Sequence, residues 1–124
     1  MDEFGIKVSQ QGDVSVLRVK GYLDAHTAPE LEKRMQELIS QDRVRLVMEL
    51  AELEYISSAG LGVFMAYVDE VRGRGGDIKF SSLTPRVYTV FDLLGFPILY
   101  EFFPETGEAV KRFPHADSAD RGRA

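Results

Sequence analysis

A chain of 124 residues, 44% hydrophobic and 28% charged, has the make-up of one globular domain, long enough to bury a core without disulfide or metal support. It holds no cysteine, which excludes a disulfide framework, thiolate chemistry and a zinc–thiolate site, and its net charge of −5 argues against a nucleic-acid partner held through phosphate contacts. No apolar run approaches membrane-spanning length, and Met1-Asp2-Glu3-Phe4 is acidic where a signal peptide is basic and then apolar, so a cytoplasmic protein with no membrane association is expected.

Gly5-Ile6-Lys7-Val8-Ser9 alternates as a half-buried strand does, and Gln10-Gln11-Gly12-Asp13 supplies a turn. Val14-Ser15-Val16-Leu17-Arg18-Val19-Lys20 resumes the alternation with Val14, Val16 and Val19 inward, which predicts a hairpin. Gly21 ends that strand, and Leu23-Asp24-Ala25-His26-Thr27 leads into a helix. Its start is marked by Thr27 and Glu30 at capping-box spacing, with Pro29 in the first turn. Leu31, Met35, Leu38 and Ile39 fall on one face, so this helix packs one side on a sheet.

Arg45-Leu46-Val47-Met48-Glu49-Leu50 predicts a buried strand, and Leu61 to Val68, apolar on more than one face, predicts a helix largely buried against the sheet. Between them stands Tyr55-Ile56-Ser57-Ser58-Ala59-Gly60. The run Arg72-Gly73-Arg74-Gly75-Gly76 lies between a helix and a strand and reads as a C-capping turn rather than an RNA-binding segment. Asp77-Ile78-Lys79-Phe80 gives another strand. Thr84-Pro85 opens a helix with Val87, Val90, Phe91 and Leu94 as buried face and Gly95 as C-cap. Ile98 to Phe102 reads as a final strand and Glu105 to Phe113 as a short helix. From Pro114 the composition turns polar, so residues 114–124 are expected to form a disordered tail behind a domain of residues 1–113. Helices alternating with strands after a hairpin imply an α/β layer structure on a mixed sheet.

The serine turn is where chemistry is expected. Either hydroxyl of Ser57 and Ser58 can cap the helix, and serine before a helix is most often a cap and nothing more. The free N–H groups of the first turn and the positive end of the helix dipole also favour an anion there, including a phosphoryl group on the serine itself. Hydrolase chemistry lacks a base, since the only histidines are His26, in a loop, and His115, in the tail. Gly-x-Ser-x-Gly and a Walker loop are both absent. Glu49, Glu52 and Glu54 read as solvated charges at a strand end rather than metal ligands, and no metal or other cofactor is expected.

Tyr55 to Phe64, with Gly21-Tyr22-Leu23-Asp24 upstream and Thr84-Pro85-Arg86-Val87 through Phe91-Asp92-Leu93-Leu94-Gly95-Phe96 downstream, resembles the STAS domain of bacterial anti-sigma-factor antagonists. The likeness runs from about residue 5 to about residue 112, with three motifs in order at compatible spacing. It implies a STAS-type mixed β-sheet of about four to five strands with helices packed mainly on one side. It also implies a partner that is both anti-sigma factor and serine kinase, bound only while the acceptor serine is unphosphorylated, and a phosphatase that resets it. Aligned on Gly60-Leu61-Gly62, Ser58 takes the phosphoacceptor position. Ser57 stands where the family usually has aspartate and is the second-choice acceptor, and Ala59 stands where a second hydroxyl is usual. Asp24 matches the aspartate of the family's Gly-x-Leu-Asp segment.

Phosphoserine carries about −1.5 to −2 charges at neutral pH. At Ser58 that charge meets the helix N-terminus, a gain of about 0.3–1 kcal/mol at an exposed site. An acidic or apolar partner surface facing it would lose about 2 kcal/mol of affinity through like-charge repulsion and desolvation. The expected partner surface comprises Asp24, His26, Ser57, Ser58, Ala59 and Gly60, with Tyr67 either an apolar extension of it or core. The other readings are a STAS subunit of a larger assembly without phosphorylation, or a small-ligand-binding domain. The chain itself is expected to be a monomer or weak homodimer.

Overall fold

A computed structural model of the chain describes residues 3–114; the expected tail lies almost wholly outside the described residues. In chain order the elements are β1 (Gly5–Gln11), β2 (Val14–Leu23), α1 (Ala28–Ser40), β3 (Arg45–Glu49), β4 (Leu53–Ile56), α2 (Ser58–Gly73), β5 (Asp77–Ser81), α3 (Pro85–Leu93), α4 (Phe96–Leu99), β6 (Phe102–Phe103) and α5 (Thr106–Arg112). The strands form one mixed sheet in the order β1-β2-β3-β5-β6, with β4 added to β2. Only β1 runs antiparallel to its neighbour; β2, β3, β4, β5 and β6 pair in parallel.

The expected mixed sheet is present with six strands rather than four or five, because Leu53–Ile56 forms a strand of its own. Strand β2 serves two partners in succession. Ser15 to Arg18 pair with β3, and Gly21 to Leu23 pair with β4. The change of partner falls between Arg18 and Gly21, and the new pairing with β4 shifts register directly after Gly21, which takes φ +91°. A side chain is strained in that backbone region, so glycine is the natural residue there.

Both faces of the sheet are covered, which is why the central strands β3 and β5 are buried along almost their whole length. Leu17, Leu46, Met48, Ile78 and Phe80 face the large core shared with α1, α2, α3 and α4. Val14, Val16 and Val47 face the opposite way, onto Ala109, Val110 and Phe113 of α5 and its end. Val19 therefore does not share a face with Val14 and Val16 as expected: it points to the large core, as the odd spacing between them requires. Helices lie mainly on one side, with α5 the exception. Under α5, Lys79 Nζ is held by Asp77 Oδ2 at 3.1 Å and sits 4.6 Å from the Phe113 ring.

Three local expectations are corrected. Thr27 is at the N-cap of α1 but makes no side-chain cap; its hydroxyl donates back to Tyr22 O at 2.8 Å, so the capping box with Glu30 does not form. Ile98 to Phe102 is not a strand: Phe96–Leu99 is a helical turn, and only Phe102 and Phe103 pair, with Phe80 and Ser81. Leu94 is not on the buried face of α3. That helix ends at Leu93, so Leu94 is its C-cap and stands exposed, and Gly95, at φ +78°, then turns the chain away.

Candidate functional site

Parallel pairing brings the C-terminal ends of β2, β3, β4 and β5 to one edge of the sheet, the edge where open α/β sheets place binding groups. The serine turn and the Asp24 loop both emerge there. Ser57 N donates to Leu23 O at 2.9 Å, and Ser57 O accepts the first helical hydrogen bond, from Leu61 N at 3.0 Å. Ser57 thus links the end of β4 to the start of α2 and ties both to the end of β2.

The two serines occupy different environments. Ser57 is the N-cap with extended backbone, but its hydroxyl makes no cap; its Oγ is buried with no hydrogen-bond partner. Ser58 is the first helical residue and is exposed. The N–H groups of Ser58, Ala59 and Gly60 lie before the first helical bond and have no carbonyl a turn earlier to bind. No acidic residue stands in the first turn of α2, so the helix supplies no carboxylate of its own to offset its dipole. Ala59 is exposed, whereas Gly60 is buried against Leu23.

Asp24 is half-buried and committed to its own loop. Its Oδ1 accepts from His26 N at 2.9 Å and Thr27 N at 3.2 Å, while Thr27 Oγ1 accepts from Asp24 N at 2.9 Å. That reciprocal pair does the work expected of the capping box, one turn earlier in the chain. His26 is exposed beside it. Tyr67 is half-buried and joins α2 to α1: its hydroxyl donates to Glu32 Oε2 at 2.6 Å and accepts from Gln36 Nε2 at 2.7 Å. Desolvation, then the hydrogen bond to Glu32, pushes its phenol pKa up.

Sequence reasoning passed over two exposed aromatic residues. Tyr22 and Tyr55 stand side by side on paired strands, ring centroids 5.6 Å apart, over a shallow cleft of about 200 Å³ that Ile56, Arg86 and Val90 also line. The signal was available, since Tyr22 continues the outward parity of Arg18 and Lys20 along β2. Glu49 is not a solvated charge as expected: Arg18 Nε and Thr106 Oγ1 both donate to its Oε1, at 3.1 and 2.9 Å. Among the described residues no group of three or more His, Cys, Asp or Glu is placed to hold a metal ion, and no helix is long and apolar enough to cross a membrane.

A mixed sheet carrying a serine turn at its parallel-strand edge defines a STAS-type binding module. The STAS domain family matches residues 5–109. The anti-sigma-B factor antagonist of Bacillus subtilis is 30% identical over 90 residues, covering 73% of this chain and 82% of that protein. An anti-sigma factor antagonist from Mycobacterium paratuberculosis superposes with TM-score 0.82 at 23% identity, over 90% of this chain and 94% of its own. The phosphorylated form of the Bacillus cell fate determinant SpoIIAA superposes with TM-score 0.70 at 19% identity, over 87% and 98%. The chain therefore belongs to the STAS-domain family of anti-sigma-factor antagonists.

Proposed function

We infer that this chain is the phosphorylation-controlled member of a partner-switching pathway. In its unphosphorylated form it binds an anti-sigma factor that is also a serine kinase, and so frees the sigma factor. Phosphorylation of Ser58 ends that binding, and a phosphatase restores it. The observation that carries this reading is the contrast at the start of α2: an exposed Ser58 before free N–H groups in a first turn that holds no carboxylate of its own, beside a Ser57 hydroxyl that is buried. A kinase needs an acceptor it can reach, which favours Ser58 over Ser57. The chemistry belongs to the kinase; this chain supplies the acceptor and the surface around it, Asp24, His26 and Ala59.

A phosphoryl group at Ser58 fits the fold and disturbs only the interface, because the helix end welcomes the charge that a closely packed partner cannot. Incubation with ATP and the cognate kinase, followed by intact-mass measurement and phosphopeptide mapping, is expected to place one phosphate on Ser58. Label on Ser57, or a chain that binds the kinase and is never labelled, would overturn the assignment.

A further inference from the structure

Four large aliphatic side chains stand in water within the seven residues Leu93 to Leu99: Leu93 is 78% exposed, Leu94 60%, Ile98 87% and Leu99 55%. They flank the turn at Gly95 between α3 and α4, and no residue of that stretch is charged. Together they present roughly 500 Å² of aliphatic surface, at the upper end of the largest apolar patch a monomer ordinarily leaves exposed. The corner lies away from the serine turn. Arg72, in the last turn of α2, donates from Nη2 to Leu99 O at 2.5 Å and from Nε to Asp77 Oδ1 at 2.8 Å. Leu99 therefore sits by the N-terminal end of β5, whereas Ser58 follows the C-terminal end of β4.

We propose that this corner joins two copies of the chain in a two-fold dimer. A two-fold contact needs a patch that complements itself, and an uncharged aliphatic surface does so without setting like charges face to face. Two such patches would bury roughly 1,000 Å² in total, the lower limit for a specific interface, so the dimer is of the weak, concentration-dependent kind. The rim carries both signs rather than one, with Arg72 beside Leu99 and Asp92 beside Leu93, and so adds no single-sign repulsion across the axis. With the contact at the opposite end of the sheet, both serine turns stay open and one dimer presents two of them at once.

Sedimentation velocity of the full chain, from low to high micromolar concentration, tests this. The expected result is a monomer–dimer equilibrium that Leu94→Glu and Ile98→Glu each weaken by roughly tenfold or more. Both positions are exposed, so these variants should keep the wild-type circular dichroism spectrum and melting temperature. Ser58→Asp should leave the equilibrium unchanged. A chain that stays monomeric throughout, or a dimer that both glutamate variants leave intact, overturns the proposal. So does a monomer in which Ile98→Glu abolishes kinase binding, since the corner would then belong to the partner.

Discussion

Gly60 stands against Leu23 with no room for a side chain between them: a Cβ at position 60 would lie 2.7 Å from Leu23 Cγ and 3.0 Å from Leu23 O. That same carbonyl accepts the hydrogen bond from Ser57 N. The first turn of α2 is thus pressed onto the end of β2 at two points, and Ser58 is held at a fixed position beside the Asp24 loop by rigid elements rather than by a loop of its own.

Replacing Gly60 with alanine must therefore push α2 off β2. Leu23 is fully buried and its carbonyl is backbone, so neither can retreat. Gly60→Ala is expected to cost about 1–3 kcal/mol, the usual penalty for overpacking, and to slow phosphorylation at Ser58 by displacing it. Urea unfolding and a kinase time course check both; an alanine variant of wild-type stability would mean that the contact yields freely.

The two serines should separate in their substitutions. Ser57→Ala removes a buried hydroxyl that has no partner and gives no cap, so stability should stay within about 0.5 kcal/mol of wild type or rise, against the ~1 kcal/mol loss usual for a capping serine. Thermal melts decide this. A clear loss of stability would show that the hydroxyl is bonded in solution.

Ser58→Ala should abolish phosphate incorporation and leave partner binding intact. Ser58→Asp places a charge at the helix start, so it should keep the melting temperature near wild type and weaken partner binding by about 2 kcal/mol. Calorimetric titration against the unphosphorylating, ATP-free kinase measures the difference. An aspartate variant that binds at full strength would remove charge from the account of the switch.

Much of this was legible before the structure. Leu31, Met35, Leu38 and Ile39 mark α1 by spacing alone, and the two strands flanking the hairpin turn are read from alternation. Strand β4 was not, because Leu53-Glu54-Tyr55-Ile56 buries its first and last residues and exposes the middle two, which is no period-two pattern. Leu94 misled because the apolar helical spacing continues one residue past Leu93, where α3 ends. At the candidate site, the sequence placed Ser58 at the start of a helix, where α2 begins, but the sealing of Ser57 Oγ and the close approach of Gly60 to Leu23 are tertiary facts that spacing does not carry.

Asp24 now has a structural duty beside its place at the proposed interface. Asp24→Ala leaves the N–H groups of His26 and Thr27 without their carboxylate partner and should cost about 1 kcal/mol of stability, as losing a helix-entry cap does. Asp24→Asn keeps an oxygen acceptor and should restore most of that. If Asp24 also faces the kinase as a charge, the asparagine variant will be stable and still bind more weakly; equal binding by wild type and Asp24→Asn would confine the residue to its loop.

The last prediction concerns alkaline pH. Burial pushes the Tyr100 phenol from its ordinary 10.0 up to about 12, opposed by the nearby Arg72, whose guanidinium lies 5.3 Å from the ring centroid. The folded protein therefore keeps this proton where the unfolded chain has released it. Between pH 10 and about 12 the folded state binds more protons, so stability falls as pH rises through that window, and below it the contribution is fully present. Tyr67, also pushed up, acts in the same direction. Tyr100→Phe removes the titrating proton while keeping the ring that stacks on Phe96 at 5.0 Å and meets Phe80 edge-on at 5.3 Å. Urea unfolding followed from neutral to strongly alkaline pH should show wild type losing stability above pH 10 more steeply than Tyr100→Phe, with the two alike at neutrality. Parallel curves would mean that Tyr100 ionises in the folded protein as readily as in the unfolded chain.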